Sequence, residues 1–274
     1  MSENCTNECS GCTEQCDKRL PQKEQTNDFT SIRKTIAVVS GKGGVGKSLV
    51  TSFLACAANS EGYRTAILDA DVTGPSIPKA FGLTGRVYAD ENNLLIPVSS
   101  DKGVKIMSVN LLLQDESDPV TWRGPVISGT VTQFYKDVRW GDVDVMLIDC
   151  PPGTGDVALT LFNNIKLDGI IIVTSPQELV SMIVKKAVRM AKIMNVPILG
   201  IVENMSYFVC GKCGEKHYIF GKSELEEVAK EAEVKNIERI PIDPEIANYV
   251  DSGMVELYKE NPLKDFFLKI DKEL

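Results

Sequence analysis

The run Val38-Val39-Ser40-Gly41-Lys42-Gly43-Gly44-Val45-Gly46-Lys47-Ser48 constrains this chain more than any other. The apolar residues 36–39 lead into a glycine loop, and Leu49, Val50, Phe53, Leu54 and Ala57 then repeat at helical spacing. A strand end, a tight loop and a helix start therefore share one short stretch. Gly41, Gly46, Lys47 and Ser48 complete the pattern G-x-x-x-x-G-K-S/T in the context it requires. Glycines allow backbone angles that a Cβ forbids, so N–H groups of residues 41–46 can converge on phosphate oxygens at the positive end of the helix. Lys47 is then placed for the outer phosphates of ATP and Ser48 for Mg2+.

Lys42, the second lysine, narrows the class. With it, residues 41–48 resemble the signature of the deviant Walker A ATPases, the MinD-like (SIMIBI) P-loop NTPases that include MinD, ParA, the nitrogenase iron protein and the Mrp/ApbC-type iron-sulfur carriers. The resemblance implies that Gly41, Lys42, Gly43, Gly44, Val45, Gly46, Lys47 and Ser48 hold nucleotide. It also implies that Lys42 crosses a nucleotide-sandwich homodimer to the partner's phosphates, which makes one chain half a site.

Carboxylates at strand ends complete the expected centre. Residues 65–68 read as a short buried strand ending at Asp69-Ala70-Asp71, and residues 144–149 as another ending at Asp149. In an open α/β sheet the carboxyl ends of strands face the ligand crevice. Asp149 fits a Mg2+ contact, and the Cys150-Pro151-Pro152-Gly153 loop that follows puts a Gly153 N–H within the reach of a γ-phosphate. By resemblance, Asp71 opens switch I, with Val72-Thr73-Gly74-Pro75-Ser76 after it, and orients the attacking water. Asn204, at the end of a strand over residues 198–202, occupies the family's purine-contacting position. Pro241-Ile242-Asp243-Pro244 resembles a second base-side loop, and a structural turn explains it as well.

Eight cysteines in a chain without a leader-like start read as metal or redox ligands rather than a disulfide framework. Cys5, Cys9, Cys12 and Cys16 form a compact motif whose last three members approach ferredoxin spacing, and four such thiolates can wrap a [4Fe-4S] cluster or a zinc ion. Cys210-x-x-Cys213 supplies only two ligands, and a twofold axis would supply two more from a second copy. Mrp-type carriers are understood to bridge a [4Fe-4S] cluster in this way. Zinc at the same thiolates, or Cys210, Cys213 and His217 with a fourth ligand, is the competing arrangement. Cys56 and Cys150 sit alone in apolar surroundings and read as buried filler.

Residues 1–30 are polar and aperiodic, so the expected organisation is a cysteine-motif tail followed by one ATPase domain over residues 31–274, a doubly wound, mostly parallel α/β sheet. Strands are further expected over residues 94–98, 105–109 and 169–174, and helices over residues 122–135, where Trp122-Arg123-Gly124-Pro125 looks like Mrp-family sequence, and 176–194. Spacing assigns Arg123 no chemistry. A net charge of -8 argues against nucleic-acid binding. The chain has no apolar run of membrane-spanning length, and the terminal helix pattern of Leu263, Phe266, Phe267 and Ile270 lacks the basic face of a membrane anchor. A cytoplasmic protein that docks this helix on its own sheet is expected. The resemblance implies an ATP-dependent carrier of [4Fe-4S] clusters that serves apo-proteins and receives from a cluster donor. The alternative is a positioning or partitioning ATPase of the MinD/ParA kind.

Overall fold

The computed structural model describes residues 23–71, 76–113, 124–153, 155–176 and 180–273. Its centre is an eight-stranded sheet built on β1 (Thr30–Ser40), with β2 (Thr65–Asp69), β3 (Val98–Ser99), β4 (Lys105–Met107), β5 (Gly141–Asp149), β6 (Gly169–Thr174), β7 (Ile198–Glu203) and β10 (Ile237–Arg239). The spatial order is β10-β7-β6-β1-β5-β2-β4-β3, and only β3 runs antiparallel to its neighbour. The chain leaves β1 toward β2 on one side and later returns to β6 on the other. β1 is therefore the switch point, where such sheets form their ligand crevice.

Both faces of the sheet are covered, which explains why its strands read as unbroken apolar runs instead of alternating ones. Ile36, Val38, Ile67, Val145 and Leu147 point into one buried layer, and Ala37, Val39, Ala66, Leu68, Met146 and Ile148 into the other. Helix α1 (Lys47–Ser60) buries Val50, Phe53, Leu54, Ala57 and Ala58 in the first layer. Above it lies α8 (Lys264–Asp271), with Leu263, Phe266, Phe267 and Ile270 at most 1% exposed. This apolar face is used up inside the fold, as the charge pattern anticipates. The Phe266 ring fills the space left by Gly200, where a Cβ would lie 2.5 Å from Cζ. On the opposite face α3 (Gly124–Asp137), α4 (Asp156–Asn164), α5 (Val180–Ile193) and α6 (Leu225–Glu231) pack through Phe134, Leu161, Phe162, Val184 and Val228.

Two segments depart from the expected strands. Of residues 94–98 only Val98 enters a strand, because Leu95 makes isolated bridges with Ala89 and Val138 around the turn at Asn93, whose φ is 58°. β4 stops at Met107, since Ser108 turns its hydroxyl to Asp69 (2.9 Å) and residues 109–112 coil into a 3-10 turn. At the amino end the packed chain starts ahead of residue 30. Glu24 N–H donates to the Asn164 carbonyl (2.7 Å), and the Asn27 amide to those of Lys136 (2.6 Å) and Val138 (2.8 Å). Two short elements, α2 (Ile77–Ala80) and α7 (Pro244–Asp251), and a separate hairpin of β8 (Phe208–Val209) and β9 (Lys216–His217), complete the described chain. Cys5, Cys9, Cys12, Cys16, Arg123 and residues 72–75 lie outside the described residues.

Candidate nucleotide centre and cysteine knuckle

The loop that follows β1 is held by its own backbone. Gly44 and Gly46 take φ of 78° and 82°, in the left-handed region where a Cβ is strained. Gly46 is constrained twice, because a Cβ there would also lie 2.1 Å from Asn204 Nδ2. Ser40 Oγ donates to the Lys42 carbonyl (3.0 Å), and Gly153 N–H donates to the Ser40 carbonyl (2.7 Å), tying the loop after β5 to the end of β1. The N–H expected to meet a γ-phosphate is thus engaged here by Ser40. Lys42 stands exposed on the crest of the loop, while Val45 and Lys47 are buried.

Lys47 ends in a pocket of carboxylates. Its side chain is 5% exposed, and the ammonium lies 2.8 Å from Asp149 Oδ2 and 3.3 Å from Asp71 Oδ2. Burial works against its charge, yet Asp149 and Asp71 more than offset that, and its pKa is raised. Ser48 Oγ donates to Asp149 Oδ2 (2.6 Å) and Thr51 Oγ1 to Asp149 Oδ1 (2.7 Å). Asp149 is therefore fixed by the first turn of α1 and fully buried. β2 and β5 pair in a register that sets Asp69 opposite Asp149. Asp69 accepts from Ser108 Oγ and, at 3.1 Å, from Asp71 N–H. Burial, then the neighbouring charge of Asp149, pushes its carboxyl well above the usual range.

Three carboxyl groups against one ammonium leave an excess of oxygen donors in a dry pocket, and hard oxygens suit Mg2+. Ser48 and Asp149 are the residues that fit the ion, and phosphate oxygens would complete its shell. Asn204 is 5% exposed, and its amide donates to the Val45 carbonyl (3.0 Å), so it braces the loop from below. Asp243 accepts from Glu245 N–H (2.8 Å) as the N-cap of α7, with Pro244 behind it, which is the turn reading of residues 241–244.

Spacing alone does not single out Asp69, Thr51 or Glu203. The register of two carboxylate-ended strands held a signal for Asp69, and Thr51 lies one turn beyond Ser48. Glu203 ends β7 1% exposed, accepting from Ser206 Oγ (2.6 Å) and Arg239 Nε (3.2 Å). Burial pushes the Cys150 and Cys56 thiols up to about 12; Cys150 is buried as expected, whereas Cys56 is half-buried on α1.

Six residues past Asn204 the chain reaches the second site. The turn of the β8–β9 hairpin holds Cys210 and Cys213, closed by Cys210 N–H to the Glu215 carbonyl (2.9 Å) and Gly214 N–H to the Cys210 carbonyl (2.8 Å). Backbone N–H groups of Cys213 and Lys212 point at the Cys210 sulfur and hold its pKa below the ordinary thiol value. Neither His217 nor any carboxylate joins the two cysteines in a three-ligand group among the described residues, so a described chain offers two thiolates. Exposed Val209, Tyr218, Ile219 and Phe220 surround the turn.

A glycine loop at the switch point, a lysine and a serine opening the helix that follows, and an aspartate at the tip of the adjoining strand define a P-loop nucleotide-binding protein. The family described as the NUBPL iron-transfer P-loop NTPases, of the ParA group, matches residues 31–274, and the chain belongs to it. The Mrp-type resemblance is thereby borne out. An iron-sulfur cluster carrier protein of Clostridium perfringens is 42% identical over 272 residues, with 95% of each chain covered. A nucleotide-binding protein of Archaeoglobus fulgidus, solved in complex with ADP, is 43% identical with a TM-score of 0.78 over 86% of this chain and 92% of that one. The septum site-determining protein MinD of Pyrococcus horikoshii, solved with Mg-ADP, shares the fold at 22% identity and a TM-score of 0.59, over 89% and 96% of the two chains.

Proposed function

We propose that this chain is an ATP-hydrolysing carrier that binds [4Fe-4S] clusters as cargo and passes them to apo-proteins in the cytoplasm, working as a homodimer. The observation that carries the reading is the placement of both sites at the carboxyl ends of the strands. Asn204 braces the phosphate loop, and six residues later Cys210 begins the knuckle. With nucleotide bound, Lys47 would leave Asp149 for the outer phosphates, Ser48 and Asp149 would hold Mg2+, and Asp71 would orient the water. Mg2+ supplies charge neutralisation on the phosphates. Lys42, exposed on the loop crest, reaches the partner's phosphates. Gly153 exchanges the Ser40 carbonyl for a γ-phosphate oxygen, and Asn204 turns toward the purine. Hydrolysis then gates the dimer between holding and releasing.

The knuckle supports the dimer by its incompleteness. Two thiolates cannot close a four-thiolate site, and the apolar side chains around them are left exposed for a second copy to cover. The four cysteines of the amino-terminal tail form a separate cluster site. A positioning ATPase of the MinD/ParA kind is disfavoured, since it has no use for the knuckle and the apolar face of α8 is buried.

Stoichiometry tests this reading. In a chain with Cys5, Cys9, Cys12 and Cys16 changed to alanine, reconstituted anaerobically, iron and sulfide should appear at one [4Fe-4S] cluster per two chains and only in the dimer fraction. Adding Cys210→Ala and Cys213→Ala should remove both the iron and the delivery of cluster to an apo-acceptor. A colourless dimer with zinc in place of iron would overturn the carrier assignment for the knuckle.

A further inference from the structure

The hollow between α4 and α5 is lined by Leu159, Lys186, Arg189, Met190 and Ile193, and has a volume of about 220 Å³. Nothing in the nucleotide or cysteine chemistry uses it. Ile193 is 82% exposed, more than any other large apolar side chain described, and Leu159 is 36% exposed. Along its length α5 carries Lys185, Lys186, Arg189 and Lys192 and no carboxylate. Lys185 pairs with Glu231 (2.8 Å), whereas Lys186 and Arg189 pair with no carboxylate among the described residues. On a chain of net charge -8 this is a local patch of opposite sign.

The described chain begins close to this place. Lys23 Nζ donates to the Phe162 carbonyl, and Glu24 N–H to the Asn164 carbonyl, so the described chain begins on the last turn of α4. Leu159 lies five residues before Asn164 on that helix, ~7.5 Å along its axis. Residues 1–22 precede that anchor and carry Glu3, Glu8, Glu14 and Asp17 against Lys18 and Arg19, with Leu20 and Pro21 next to the anchor. Their net charge is opposite to the cations of α5, and three residues span up to ~10 Å, enough for Leu20 to reach the hollow. We propose that residues 1–22 dock in the α4–α5 groove, Leu20 covering Leu159 and Ile193 and the acidic residues facing Lys186 and Arg189.

Such docking bears on the tail's cysteines. Cys16 is seven residues from Lys23, a span of at most ~25 Å, and the 14 residues of α5 extend ~21 Å. A tail led up this groove would carry its thiolates toward the strand ends where the nucleotide and the knuckle lie.

Photo-crosslinking of the full chain tests the dock. Benzoylphenylalanine is placed at Ile193 and, as a control, at Leu257, which is 53% exposed beside α1 on the other face. The protein is kept metal-free under reductant, so the outcome is independent of the cluster reading. Position 193 should cross-link within its own chain to peptides of residues 1–22, and position 257 should not. With Lys186→Glu and Arg189→Glu the yield should fall roughly fivefold or more, and salt should lower it as it screens the pairing. The proposal is overturned if position 193 cross-links to a second copy, or to the tail no more than the control does. It is equally overturned if charge reversal leaves the yield unchanged in a protein whose melting is unaltered.

Discussion

The phosphate loop and the cysteine knuckle are linked through Asn204, which bonds to the loop six residues before Cys210, yet they are built in opposite ways. Lys47, Asp69 and Asp149 are nearly or fully buried, and each is fixed by partners from its own chain: Ser48, Thr51 and Ser108 donate, and Asp71 and Asp149 pair with the lysine. The knuckle rides on a two-stranded hairpin outside the main sheet, tied to it by Ile242 N–H to the Tyr207 carbonyl (2.7 Å) and a bridge from Phe208 to Ile242. In the first, the buried charges and hydroxyls already hold one another in place. The other is a shaped half, with its apolar margin still uncovered. A site that must let cargo come and go is better placed where few internal bonds have to break.

The largest effect separates the two. Lys47→Ala should lower ATP turnover by about 10²–10³-fold, the scale seen when one preorganised donor to a transition-state charge is removed. It also leaves Asp149 buried without its counter-charge, so melting should be recorded alongside phosphate release. Knuckle iron should persist in this variant. Turnover equal to the parent's would break the assignment of the active centre. The reciprocal change, Cys210→Ala with Cys213→Ala, should abolish knuckle iron while ADP affinity stays within about twofold, because nothing buried depends on those thiols. A large loss of nucleotide affinity would show that the two regions are one cooperative unit.

Much of the buried region was legible in the sequence because its rules are local. A loop that needs positive φ requires glycine, a strand covered on both faces must be apolar throughout, and a carboxylate at the end of such a strand stands out against Met146, Leu147 and Ile148. Pairings across the sheet were less legible. Asp69 gains its role from the register that sets it opposite Asp149, and Ser108 reaches it from 39 residues away in sequence. Residues 23–29 looked like tail because they are polar, but their bonds are to backbone carbonyls of α3 and α4 and need no apolar face. At the knuckle, the Cys-x-x-Cys spacing was plain, while the exposed margin of Val209, Ile219 and Phe220 acquires meaning only once the hairpin is seen to stand apart.

A pair of glycines sharpens the contrast. Gly46 and Gly214 both have positive φ, 82° and 71°, so alanine at either costs roughly 1–2 kcal/mol of backbone strain. Around Gly214 a Cβ meets nothing within 4 Å, whereas at Gly46 it would displace the Asn204 amide. Gly46→Ala should therefore lower the melting temperature more than Gly214→Ala, and it alone should weaken ADP binding. Equal losses at both positions would mean that Asn204 does not brace the loop.

The smallest effect is on the thiols themselves, and it is a difference in pH dependence. N–H groups of Cys213 and Lys212 aimed at the Cys210 sulfur favour its thiolate, while burial holds Cys56 and Cys150 as thiols with pKa values pushed up to about 12. The thiolate is the nucleophile, so alkylation follows the ionised fraction. Lowering a pKa raises that fraction at any pH below it, so the labelling curve of Cys210 should have its midpoint below the ordinary value of 9.0, and those of Cys56 and Cys150 well above it. Metal-free protein, pulse-labelled with iodoacetamide from pH 6 to 10 and read peptide by peptide, should pass the Cys210 midpoint within that range while Cys56 and Cys150 stay largely unlabelled at its upper end. Denaturant removes the hairpin's N–H donors and the burial together, and the three midpoints should then converge. If Cys210 labelled with the same midpoint folded and unfolded, the knuckle would not be preorganised for a thiolate, and the cargo itself would have to shape its site.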